Sequence, residues 1–326
     1  MARLPSAVVL ETLSRRNNPQ TATNTTSQVL QVICEFPLSG QYGVGCRVLY
    51  YILVAVCLVK NKSELLKQVC LATALIFPAV AAIHAVVLAA LHNDGFVDMD
   101  IFGAFQLCSI GILVGPVTVK RSGTYWKASG RKLLLPWTIL ILAGLLSLTV
   151  EFCRTKPHPC PYDDSGQPTS TEARVFNYTY PPTCNLTCSV FAGPFSRIRQ
   201  GSANNVFVVP APERITFGMG TLFAAGCCIP PVLYLMSIWI KILKHNWLED
   251  WAIREDDKQG AGGSTKAIPR NRKELVRKIL DNQESLVIGA FVVCILVLGE
   301  LNFSSAQVNW QSEPMSAVGR QCSPLT

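Results

Sequence analysis

The sequence predicts an all-α fold: a polytopic transmembrane helical bundle of six spans, with a long cysteine-containing loop between the fourth and fifth. Three observations predict it. Of the 326 residues 49% are apolar and only 15% are charged, whereas a soluble domain carries about 25% charge. The apolar residues gather into runs of about 20, the length that crosses ~30 Å of hydrocarbon. The loops between those runs alternate between strongly basic and not basic, the pattern that orients helices in a bilayer. The charge deficit excludes an ordinary water-soluble enzyme, and the apolar excess excludes disorder.

Residues 1–41 are rich in Ser, Thr, Asn and Gln and hold no apolar run behind a basic start. They read as a flexible polar tail without a cleaved signal peptide. The bundle then runs over 42–303, with spans at 42–59, 69–91, 101–119, 133–152, 215–240 and 286–303. The first is the weakest because Arg47 lies in it, although a guanidinium can reach the interface while its stem stays in lipid. A possible seventh span is missing or degenerate, since 304–326 is a polar tail.

Lys60, Lys62 and Lys67 follow the first span, and Lys120, Arg121, Lys127, Arg131 and Lys132 follow the third. The stretch 241–285 adds ten more basic residues, whereas 92–100 has none. The basic loops are therefore assigned to the cytoplasm and both termini to the opposite, lumenal side, in an endomembrane such as the endoplasmic reticulum. Within 271–285, Leu275, Val276, Ile279 and Leu280 have helical spacing, which predicts a helix leading into the sixth span.

The loop 153–214 carries Cys160, Cys184 and Cys188 with the sequons Asn177-Tyr-Thr and Asn185-Leu-Thr. Disulfides and N-glycans belong to the lumen or the exterior, in agreement with the charge pattern. Three cysteines leave one unpaired, and Cys153, Cys34 or Cys322 supplies the fourth. The sequon at Asn61 falls on a cytoplasmic loop and that at Asn302 in a span, so neither is expected to be used.

Ionisable groups near a bilayer are costly and mark functional sites. Asp98 and Asp100 open the third span, Glu151 closes the fourth, and Glu300 closes the sixth. Glu35, Glu213 and Glu313 lie beside spans on the same side, and His84 sits inside the second. The acids thus gather in one leaflet and predict a lumenal pocket roofed by the cysteine-containing loop. Asp98, Phe102, Gln106 and Ser109 recur at helical spacing, which sets Gln106 two turns deeper, to bind a substrate oxygen or to link helices. A desolvated carboxyl stays protonated and can donate to an epoxide or olefin, while aromatic walls such as Phe102 and Phe152 shelter the cation.

Each residue also has a plainer role. Asp98 and Asp100 suit the N-terminus of a helix. Glu151 and Glu300 sit at helix C-termini, where the dipole disfavours them, so a partner such as Arg154, Arg47 or Arg214 is required if they are structural. His84 suits packing against a hydrogen-bond partner. No zinc spacing, P-loop, GxSxG or nucleic-acid motif occurs, so no metal, cofactor or nucleic acid is expected. The expected partners are the bilayer and a hydrophobic small molecule.

Five phrases carry a resemblance: GQYGVGCR at 40–47, DMDIFGAFQ at 98–106, GILVGPVTV at 111–119, SLTVEF at 147–152 and GSANN at 201–205. Together they resemble a group of filamentous-fungal polytopic membrane proteins that includes the membrane-bound, ascofuranone-type terpene cyclases of meroterpenoid biosynthesis. The resemblance implies a metal-independent isomerase that protonates a terminal epoxide or olefin on a farnesyl-bearing aromatic and closes rings. Asp98, Asp100, Glu151 and Glu300 are then the candidate acids, with His84, Gln106, Phe102 and Phe152 beside the substrate. The seventh span often found in such proteins is not apparent. A receptor or sensor with a glycosylated loop, or a small-molecule transporter, are the competing readings.

Overall fold

A computed structural model describes residues 29–58, 64–122, 130–188, 206–233, 235–236 and 289–309. Most of the basic loop residues, the predicted helix at 271–285, the phrase at 201–205, Cys322 and most of both tails lie outside the described residues. Each of the six apolar runs falls on a helix. These are α1 (Val44–Leu58), α2 (Glu64–Ala90), α3 (Asp100–Ser122), α4 (Gly130–Arg154), α5 (Phe217–Leu233) and α6 (Gly289–Phe303). The stretches Gly40–Leu58, Gln68–Ala90 and Leu134–Arg154 are long and apolar enough to cross a bilayer, and Asp100–Gly115, Phe217–Leu233 and Gly289–Phe303 are shorter apolar helices.

α3 is the axis of the bundle. Every residue from Ile101 to Val114 is buried, as befits a helix that is apolar on all sides. The outer helices instead expose apolar residues, among them Leu49, Ile52, Ile76, Ile83, Leu146 and Leu222, a surface suited to lipid rather than water. Small residues let the helices approach. A Cβ on Gly144 of α4 would lie 2.6 Å from the Cβ of Ala82 in α2, and one on Gly103 of α3 would strike the Tyr42 ring. The indole N–H of Trp137 in α4 donates to Leu75 O in α2 at 2.8 Å, in the turn before Pro78.

The fold is not purely helical. A four-stranded sheet caps one end of the bundle, made of β1 (Leu30–Phe36), β2 (Val97–Asp98), β3 (His158–Cys160) and β4 (Phe207–Pro210). β1 is its centre. β4 pairs antiparallel along one edge, while β3 (antiparallel) and β2 (parallel) share the other edge end to end. The segment Leu30–Phe36 therefore belongs to a buried sheet rather than to a flexible tail. The physical reason lies in LQVICEF itself, a run rich in β-branched and aromatic residues that is too short to span but well suited to pairing.

The strand alternation divides the cap from the bundle. Leu30 and Val32 pack with Cys160, Phe176, Cys184 and Val208 in a small core of the cap. Ile33, Val97 and Val209 join the main core of the bundle. Cys34–Cys188 and Cys160–Cys184 are disulfide-bonded, with Cα–Cα separations of 5.8 and 5.1 Å, both inside the normal range. Of the alternatives for the fourth cysteine, Cys34 is the partner, and Cys153 is free.

Candidate functional site: carboxyls between cap and bundle

The acids predicted to gather at one end do so, because β2 feeds α3, α4 feeds β3, and the end of α6 meets the start of α5. Asn302 Oδ1 accepts the Ile215 N–H at 3.3 Å and seals that last junction. Each acid meets a different environment.

Asp98 and Asp100 shape the entrance to α3. Asp98 Oδ1 accepts the Asp100 N–H at 3.0 Å, the side-chain bond that favours Asp before a helix. Both oxygens of Asp100 accept from Ser39, one from its N–H and one from its hydroxyl, each at 2.7 Å. The chain between β1 and α1 is thereby tied to the first turn of α3.

Glu300 is held by Arg47, one of the three partners its position requires. Arg47 Nε donates to Oε1 at 2.9 Å and Nη2 to Oε2 at 3.1 Å. The Tyr51 hydroxyl donates to Oε1 at 2.6 Å and receives the Gln106 amide at 3.1 Å, which also points to Leu296 O at 3.4 Å. Arg47 Nη1 donates to Tyr42 O at 2.6 Å, and the guanidinium lies 3.8 Å above the Phe303 ring. Of the two roles open to Gln106, it fills the linking one, joining α1, α3 and α6. Gly299 is the accommodation for it, since a Cβ there would occupy the space of the Gln106 amide.

Glu151 is buried at the end of α4 and its partner is a histidine, not an arginine. His92 Nδ1 lies 2.7 Å from Glu151 Oε1, and His92 Nε2 lies 3.1 Å from Asp94 Oδ1. His84 takes its packed alternative: Tyr42 Oη lies 2.8 Å from its Nδ1, and the two rings stack with centroids 5.6 Å apart.

In sequence Glu35 is only a neighbour of the first span. It is buried at the junction, sharing the bundle-facing side of β1 with Ile33, and pairs in register with Val97, one step from Asp98. Its Oε2 has no hydrogen-bond partner among the described residues. Burial, reinforced by the Asp98 charge, pushes its carboxyl well above the ordinary range. The local signal was a lone acid in an apolar heptapeptide, but its meaning depends on a strand 62 residues away.

Behind these acids stands an aromatic cluster. Phe102 lies 5.3 Å from Phe152 and 5.9 Å from Phe217, and Phe105 lies 6.0 Å from Phe152, measured between ring centroids. Phe152 and Phe217 wall a cleft of about 990 Å³ that runs from Gln31 and Thr171 in the cap to Leu222 on the outer face of α5, with Glu213 at its edge. A second cleft of about 760 Å³ has a mixed lining, with His92, Asp94, Arg154, Lys156 and His158 beside apolar residues such as Ile33 and Phe96. The α4–β3 connection separates them. Pro157 and Pro159 turn to the first cleft, and Arg154, Lys156 and His158 to the second. None of Glu35, Asp98, Asp100, Glu151 and Glu300 lines either cleft directly.

Asn177 and Asn185 are exposed on the cap. Asn177 Oδ1 accepts the N–H groups of Thr179 and Tyr180 at 3.1 Å, and Asn185 occupies a left-handed turn with φ 59°. Among the described residues, no group of three or more His, Cys, Asp and Glu is arranged to hold a metal ion. Comparison with protein-family models, with curated proteins and with solved structures finds no match to this chain.

Proposed function

We propose that the chain is an integral-membrane terpene cyclase, independent of metal, that closes rings on a farnesyl-type prenylated aromatic in fungal meroterpenoid biosynthesis. The observation that carries the reading is Glu35, a carboxyl buried where the cap meets the bundle, one register step from Asp98 and with one oxygen that has no hydrogen-bond partner among the described residues; burial and the Asp98 charge raise its affinity for a proton. Paired carboxyls whose surroundings push their proton affinities apart are the usual arrangement for acid–base work. Glu35 gives its proton to the epoxide oxygen or olefin; the C–O bond, or the π bond, breaks and leaves a tertiary cation. An internal double bond or oxygen then supplies the electron pair that closes the ring. Loss of one proton ends the sequence, so the product is an isomer of the substrate. The Phe102, Phe105, Phe152 and Phe217 rings hold water away and stabilise the cation through their π faces. A cleft of 990 Å³ is at the upper end of what small-molecule sites use, and its apolar wall suits a prenyl chain.

In this reading Asp100 and Glu300 fasten the elements around the site, and Asp98 sets the charge that Glu35 feels. In the same reading the chain crosses an endomembrane six times with the cap on the lumenal side and glycans on Asn177 and Asn185, a reading that the basic loops of the sequence support. The test is expression of the full chain in a clean host fed a prenylated phenol epoxide, with mass spectrometry for a product of unchanged mass. Glu35→Gln is expected to lower product formation on the order of a hundredfold or more. Folded, inserted protein that converts no polyene epoxide ends the cyclase reading, and full activity in Glu35→Gln removes Glu35 as the donor.

A further inference from the structure

The triad Asp94, His92 and Glu151 is not used by that reaction, and its three groups form a line from outside to inside. The Asp94 side chain is 100% exposed, that of His92 13% and that of Glu151 9%. The imidazole bridges the two carboxyls at 3.1 and 2.7 Å, both hydrogen-bond distances. The second oxygen of Glu151 is buried without a hydrogen-bond partner among the described residues. Glu151 precedes Phe152, the ring at the centre of the aromatic cluster. Its position at the end of α4 gives it no help from the helix dipole, so an anion there is not explained by the helix itself.

We propose that Asp94, His92 and Glu151 form a proton conduit between solvent in the second cleft and the buried Glu151 carboxyl. The conduit does not rest on the cyclase reading. A proton on Glu151 Oε2 leaves along the same three groups that bring one in. Rotation of the carboxyl presents that proton to His92 Nδ1. Nε2 then releases its own proton to Asp94 and on to water, and proton exchange with solvent in the cleft, which takes the proton from Nδ1 and returns one to Nε2, restores the starting tautomer. Histidine suits this task because it can accept at one nitrogen while donating from the other. Arg154, Lys156, His158 and the free thiol of Cys153 are the other charged or titratable groups facing this cleft, and β1 and β2 give it only uncharged residues.

The experiment is an acid jump on the full chain in lipid nanodiscs, with no substrate present. Protonation of Glu151 is followed by its infrared carboxyl band, identified by its loss in Glu151→Gln. His92→Ala is expected to slow that protonation on the order of a hundredfold, with recovery on adding imidazole. Asp94→Asn, at an exposed site that leaves the packing alone, is expected to slow it several-fold. Unchanged rates in His92→Ala, or a slowed rate that imidazole does not recover in folded protein, overturn the conduit. If His92→Ala does not fold, an unchanged rate in Asp94→Asn overturns it. A chain that makes no product but keeps His92-dependent protonation refutes the cyclase reading and supports the conduit.

Discussion

At the scale of single residues, Glu35 couples the cap to pH. Its folded-state carboxyl holds its proton to a higher pH than the ordinary value of 4.5. Folding is therefore favoured fully below that value, and the contribution falls as pH rises through the raised one. Thermal unfolding of the reconstituted protein is expected at lower temperature as pH climbs across that window, and Glu35→Gln should flatten the slope. A Glu35→Gln protein with the same pH slope as the parent contradicts this. The residues differ in how legible they are. Asp98 and Asp100 announce themselves as helix-entry residues because their role is local. Glu300 needs a cation and Arg47 is nameable as one of three. His92 as the partner of Glu151 is not legible, because the two are 59 positions apart and the chain between them has to fold into α3 and α4 before they meet.

At the scale of elements, the Arg47–Glu300 pair fastens α1 to α6, with Arg47 only 3% exposed. Removing Arg47 strands Glu300, whose side chain is 35% exposed and still reaches water, so the loss lies between the surface and the buried cases, at about 1–2 kcal/mol. Arg47→Ala is thus expected to destabilise the bundle by about that much, while Arg47→Met combined with Glu300→Leu should recover most of it. Denaturation of the reconstituted single and double variants measures both, and a loss in the double variant equal to the sum of the two single losses would argue against a coupled pair. The helices themselves are legible because a run of apolar side chains is a local property. The sheet is not. Its strands hold two to seven residues, and only their pairing across the chain distinguishes them from loop.

At the scale of the whole molecule, every described connection between helices lies at the capped end, as do Asn177, Asn185 and the two disulfides among the described residues. In the proposed orientation that end faces the lumen. Asn177→Gln and Asn185→Gln should each remove one step of mobility shift from protein made on glycosylation-competent membranes. The absence of any shift in the parent chain overturns the lumenal placement.

The central place of β1 also bears on how the chain is made. Residues 30–36 leave the ribosome first among the described elements, yet their partners are at 97–98, 158–160 and 207–210. When the first of these partners has been made it offers only two residues, and the heptapeptide has its full set of neighbours only once the chain has reached Pro210. Cys34 must likewise wait 154 residues for Cys188. Such separated pairing is slow to form, so the cap is the last of the described parts to close although its central strand is the first to be made.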